Sequence, residues 1–174
     1  MVAFACPPPA RTGQARVRAE GAVMITWTLL HVLSMFIAFG LTVGVGVAAT
    51  AISNSRDVRA IRAATKVAPA LQTVGAVWLA AGLIFGIATA ASAGFNFQSM
   101  WLVVGLVCVL LLLAIGIGIH RSWLLRLAKA AAASPDDHAS AEVNSIIDEK
   151  LAQAAGPISG LIWLAAIAVM ILKP

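Results

Sequence analysis

His31 is the one ionisable side chain well inside the first long apolar stretch of this chain, and chemistry is most readily placed there. From Gly21 to Ser55 there is no Asp, Glu, Lys or Arg. An imidazole in hydrocarbon needs a partner, and ionisable groups within membrane spans face the bundle interior. At helical spacing, Trp27, Thr28, Ser34, Met35, Ala38 and Thr42 share a semi-polar stripe with it. Three chemistries suit such a histidine: axial ligation of b-type haem, metal ligation, or proton handling. The plain alternative is a packing residue whose ring nitrogens are satisfied by hydroxyls and carbonyls.

A second ligand must come from the same depth. Met100 opens one later apolar run and Met170 closes another, and an up-and-down topology puts both at the level of His31. Histidine with thioether suits low-spin haem or copper(I), so His31, Met100 and Met170 are the candidate metal set. His120 ends a span parallel to the first, ~25 Å from His31 by helical rise, so the two histidines cannot grip one haem. His120, beside Arg121, reads as an interfacial residue, and His138 as a surface one. The spans hold no Cys-x-x-Cys, paired carboxylates, Gly-rich phosphate loop or Ser/His/Asp set, so no catalytic residue is assigned. Spans without Asp, Glu, Lys or Arg also argue against an ion-driven transporter.

The elements that must hold these residues are membrane helices. Of the 174 residues, 61% are hydrophobic and 11% charged, with no Tyr. Soluble domains run at ~45–50% apolar and ~25% charged, and a soluble core cannot absorb this excess. The net charge of +5 does not indicate nucleic acid, because the basic residues flank the apolar runs, where they meet lipid headgroups. Cys6 lies in the N-terminal tail and Cys108 within a span, so no disulfide framework is expected.

Residues 1–23, with Cys6-Pro7-Pro8-Pro9 and three arginines, read as a disordered tail, and Met24 is a candidate alternative start. The run that follows is about twice the ~7–15 residues of a signal-peptide core and reads as a retained span. Spans are expected at about 25–52, 67–91, 99–120 and 157–172, making an all-α four-helix membrane bundle over residues 24–174. Gly40 with Gly44, Gly82 with Gly86, and Gly156 with Gly160 form GxxxG pairs suited to close helix packing. Pro69 is placed in the first turn of the second span. Ser134-Pro135-Asp136-Asp137 looks like a helix start. Val143, Ile146, Ile147 and Leu151 then have helical spacing, which predicts an amphipathic helix over about 135–155, stopped or kinked at Gly156-Pro157, with the fourth span extending backward in the second case.

Connections 53–66 and 121–156 fall on one side and carry Arg56, Arg59, Arg62, Lys66, Arg121, Arg126, Lys129 and Lys150. The other side carries only Arg11, Arg16, Arg18 and Lys173. This bias puts both connections in the cytoplasm and both termini outside.

The start Leu29-Leu30-His31-Val32-Leu33-Ser34, the basic first connection, the Trp-bearing second span and the ending Trp163…Met170-Ile171-Leu172-Lys173-Pro174 resemble a bacterial family of integral membrane proteins. It is known as domain of unknown function number 2269, and the resemblance covers about Met24 to Pro174. The Leu-His start is also similar to that of the CopD copper-resistance proteins and the HemJ-type protoporphyrinogen oxidases, whose first helix carries a functional histidine. By that resemblance only His31 carries over. The resemblance implies a bacterial plasma-membrane protein of four spans and assigns no activity. The expected function is therefore a non-catalytic binding or assembly protein in the lipid bilayer, forming a homo-oligomer or joining a membrane partner subunit, with no nucleic-acid role. The alternatives are a b-type haem redox protein using His31 and, further off, copper handling through His31 and the methionines.

Overall fold

Side chains that are apolar on all faces favour helices able to satisfy their own backbone in lipid, and the chain forms little else. The computed structural model describes residues 11–135 and 138–172, with side chains from residue 18 onward. Cys6, Asp136, Asp137, Lys173 and Pro174 lie outside the described residues. Helix α1 (Arg11–Phe39) runs through a π-helical turn (Gly40–Gly44) into α2 (Val45–Asn54). Helix α3 (Val58–Ser92) returns. Helix α4 (Met100–Ala114) passes through a second π turn (Ile115–Arg121) into α5 (Ser122–Ala133). The short α6 (Ala141–Ile147) leads into α7 (Lys150–Leu172).

The described residues thus form an all-α bundle with four helical stretches long and apolar enough to cross a membrane: Arg18–Asn54, Val58–Ser92, Met100–Ala133 and Ala141–Leu172. At ~1.5 Å per residue, 35 residues of α3 reach about 50 Å, well beyond a hydrocarbon core of about 30 Å. The surplus emerges at the end carrying the basic connections. There one hydrophobic core gathers Ile61, Trp123, Leu124, Leu127, Val143 and Ile147. The Trp123 indole N–H donates to the Ile146 carbonyl at 2.9 Å, fixing α6 across α5. Exposed Arg126 pairs with Glu149 through both guanidinium nitrogens, at 2.7 and 2.6 Å. At mid-depth a second cluster joins Ala38, Leu79, Val109, Leu112 and Trp163. Helix α1 packs closely on α3, and α4 on α7, whereas α3 and α4 touch sparsely. Large apolar side chains such as Leu29, Phe36, Val77, Leu161 and Leu164 point outward, as a lipid-facing surface requires.

Several boundaries differ from the sequence expectation. Helix α1 starts at Arg11, within the segment read as tail, where Arg, Gln, Ala and Glu are good helix formers. The connection 53–66 is mostly helix, because the Asp57 carboxylate accepts from the Arg59 and Ala60 N–H groups, at 2.9 and 3.3 Å, and starts α3 early. Pro69 therefore sits inside α3, not in its first turn. Pro157 is likewise inside α7, and Gly156-Pro157 does not end a helix. Spans tolerate such prolines because neighbouring groups absorb the freed carbonyl. The expected amphipathic helix over 135–155 is replaced by α6, a break at Asp148-Glu149, and the start of α7. Ser134 closes α5 instead of opening a helix: its hydroxyl donates to the Ala130 carbonyl at 3.0 Å. Ser140 is the N-cap, accepting from the Val143 N–H. Val143, Ile146 and Ile147 are buried as their spacing predicts, but Leu151 is 65% exposed.

Candidate functional site

Most of the stripe read along the first span faces the bundle: Ser34 and Ala38 are buried, and Trp27, His31, Met35 and Thr42 are half-buried, whereas Thr28 is exposed. Helix α3 meets this stripe with Gly82 and Gly86, which leave no side chain in the way. A Cβ on Gly86 would lie 2.9 Å from His31 Nδ1, and one on Gly82 would lie 2.9 Å from Met35 Sδ. The second GxxxG pair is therefore a seat for two side chains of α1. The His31 ring uses it fully, with Nδ1 2.7 Å from the Gly82 carbonyl oxygen. A carbonyl only accepts, so Nδ1 carries the proton and donates. That fixes the tautomer and leaves Nε2 with a lone pair, the arrangement by which proteins orient a ligating imidazole.

His31 lines a cavity of about 460 Å³ between α1, α3, α4 and the end of α7, within the ~300–1,000 Å³ of small-molecule sites. Phe95 and Phe97 of the 93–99 turn and Trp101 of the first turn of α4 line it, and Phe95 meets Trp101 edge-on at 5.2 Å. Trp27 stacks on Phe85 nearby, with centroids 6.0 Å apart. The walls are aliphatic, with Leu83, Leu102, Leu106 and Val109. Of the candidate metal set, Met170 lies in this cavity beside Gly105, where a Cβ would meet its Cε at 3.4 Å. Met35 joins it there. Met100 does not: it is 69% exposed and absent from the cavity wall. Its place in the first turn of α4 points it outward. Among the described residues no group of three His, Cys, Asp or Glu side chains converges as a metal site. Cys108 is a buried free thiol.

His120 differs from its expectation. It is 4% exposed rather than interfacial, and it faces a second cavity with Gln72, Gly156 and Ser159. The second π turn carries it. The expectation took His120, beside Arg121, for the end of its span, but the helix runs on through this turn into α5 and the ring packs inside the bundle. The lone amide Gln72 in the second span was the available sequence signal. As helical rise predicts, the two histidines lie in separate cavities without a shared wall residue, divided by the mid-depth cluster of Leu79, Val109 and Trp163. His138 is exposed, as read.

No protein-family model matches the chain, and no characterised protein or solved structure shows significant similarity to it.

Proposed function

We propose that this protein is an integral membrane binding protein, without catalytic groups of its own, whose His31 cavity takes a flat, apolar ligand from the bilayer. The observation that carries the reading is the 2.7 Å approach of His31 Nδ1 to the Gly82 carbonyl oxygen, which occupies that nitrogen and leaves Nε2 for a guest. The aromatic rim and aliphatic walls suit a planar hydrophobic body, with the imidazole as the orienting polar group.

Haem b is the cofactor this donor set fits best. His31 would hold it, with the softer thioether of Met170 in the same cavity on another helix. Bound haem would supply one-electron transfer. Copper(I) could use the same His31 and Met170, with Met35 in place of Met100. The test is an absorption spectrum of the detergent-purified protein, oxidised and dithionite-reduced, with metal analysis and native mass spectrometry on the same sample. A Soret band lost in His31→Ala makes it a haem protein. A colourless protein carrying an apolar small molecule that His31→Ala releases keeps the binding role and removes haem. A protein with no guest, and no affinity for added haem, sinks both.

A second reading, self-association, has its own observation. Gly40, Gly44 and Ala48 form a small-residue ridge that is exposed, and a Cβ on either glycine would meet nothing within 4 Å. Such a ridge suits close approach of another helix, from a second copy or a partner subunit. The proposed setting is the bacterial plasma membrane, with termini outside and the basic ends of α3 and α5 in the cytoplasm. Kinship with the domain 2269 family is proposed on the residues given above.

A further inference from the structure

The second cavity, of about 440 Å³, opens sideways between α3 and the π turn that follows α4. Small residues make the gap. Ala76 and Ala80 of α3 line it, with Gly116 of the turn, where a Cβ would meet nothing within 4 Å. Helices α3 and α4 touch sparsely, and the lining residues Val77, Ala80 and Ile117 are exposed. In a bilayer such an opening meets lipid tails, not water.

The mouth of the cavity carries a cation. Arg121 lines it and is exposed. From Met100 to Arg121 the helix rises about 32 Å, one hydrocarbon thickness, so Arg121 stands at an interface. It is the interface at the end carrying the basic connections. Thr73 of α3 is exposed on the opposite lip at about the same depth, because its neighbour Gln72 and Arg121's neighbour His120 both approach Gly46. From Leu112 to Arg121 the cavity runs about 14 Å, close to the ~15 Å depth of one leaflet. No acid lines it. Arg56 and Arg126 take Asp148 and Glu149, whereas Arg121 has no carboxylate partner among the described residues. Exposed Lys66 has none there either, and it lies about two turns from Thr73 on the same stripe of α3, toward the basic end.

We propose that this cavity seats one acyl chain of an anionic phospholipid, with the lipid phosphate on Arg121. The chain fills an apolar slot one leaflet deep, and the guanidinium fork suits a phosphate at the interface. Basic pockets between spans hold anionic headgroups in this way. A zwitterionic head brings an ammonium beside its phosphate, which competes with Arg121 and gains nothing from Lys66. The site is separate from the His31 cavity and stands whether or not that one holds a guest.

The test delipidates the full protein in mild detergent and titrates phosphatidylglycerol or phosphatidylcholine of matched acyl chains, with bound lipid counted by native mass spectrometry. One saturable lipid is expected, with phosphatidylglycerol at least about fivefold tighter. Arg121→Gln should erase that preference. Arg59→Gln, the same loss of charge about 21 Å along α3 from Thr73, should keep it. Gly116→Leu puts a side chain in the slot and should weaken both lipids at least about tenfold. The soluble headgroup glycerophosphoglycerol should not compete. The proposal is overturned by the absence of a saturable lipid, by a preference that survives Arg121→Gln or is lost equally in Arg59→Gln, or by unaltered binding in Gly116→Leu. Competition by the soluble headgroup at equal concentration would mean a phosphate site without an acyl seat, and also overturns it. So does loss of the lipid in His31→Ala but not in Arg121→Gln, which would put it in the other cavity. The comparisons in the unaltered protein decide the matter even if a variant does not fold.

Discussion

The Nδ1 of His31 lies 2.7 Å from the carbonyl oxygen of Gly82, across the face of Gly86. The hydrogen bond anchors the ring, and the missing side chain at Gly86 makes room for it. In Gly86→Ala the new Cβ would stand 2.9 Å from Nδ1 and 3.0 Å from Cε1, and the ring cannot retreat without breaking its bond. We expect a loss of about 1–3 kcal/mol, the usual cost of overpacking, and a clear shift of the His31 nitrogen resonances. His120, in the other cavity, should not respond. An unchanged His31 spectrum would mean that the ring is not seated on Gly86.

Arg62 closes the end of α5 from α3. Its Nε donates to the Ala131 carbonyl at 2.7 Å, and a terminal nitrogen donates to the Ser134 carbonyl. Those carbonyls sit where the helix ends, so a cation there also meets the negative end of the macrodipole. Arg62→Leu should cost about 1.5–3 kcal/mol, the range for hydrogen bonds to charged groups. Amide exchange should quicken in the last turn of α5 and in α6, and stay unchanged around Gly82. Uniform exchange across the bundle would place the role of Arg62 elsewhere.

Arg56 turns the chain between α2 and α3 with a φ of 58°, in the left-handed region that favours glycine. Its side chain reaches Asn144 Oδ1 at 2.6 Å and Asp148 Oδ1 at 2.9 Å, holding α6 to this turn. The pair is half-exposed, so solvent screening leaves it worth at most about 1 kcal/mol. Arg56→Ala loses those bonds and keeps the strained backbone. Arg56→Gly loses the same bonds but adopts the conformation freely. The glycine variant should therefore be the more stable of the two, by about 1 kcal/mol, in denaturant titration of mixed micelles. The reverse order would contradict the turn geometry.

Composition and the spacing of charges made the four spans legible, because a lipid-facing helix needs apolar residues all round and nothing tertiary can override that. His31 was legible for the same reason, since an imidazole in hydrocarbon stands out. Its tautomer was not, because it depends on a Gly82 carbonyl 51 positions away. The Gly82 and Gly86 pair signalled close approach, but not that the approaching groups are His31 and Met35 rather than a helix backbone. Proline misled at Pro69, where a first-turn rule was applied to a helix that Asp57 starts eleven residues earlier, and at Pro157 the helix runs through, the second of the two outcomes its sequence allowed. Ser134 misled because two serines compete as caps six residues apart. Packing of Val143, Ile146 and Ile147 on Trp123 and Leu127 favours Ser140. His120 was misread because Arg121 beside it marked the end of the span, whereas its ring packs inside the bundle against Gly46, a contact between residues far apart in sequence.

The ridge of Gly40, Gly44 and Ala48 separates association from folding. Added side chains at Gly40 and Gly44 meet open space, so Gly40→Leu with Gly44→Leu should leave monomer stability within about 0.5 kcal/mol of the parent. The same change blocks close approach of a second helix along this face. If the ridge is an assembly surface, energy transfer between labelled copies in nanodiscs should fall at least about tenfold in apparent affinity, as expected for losing a few kcal/mol of packing. The His31 and His120 resonances should not move, since neither cavity touches these glycines. Unaltered energy transfer would show that the ridge faces lipid alone. A drop accompanied by loss of stability would show that the π turn itself needs glycine, and the association reading would then lose its support.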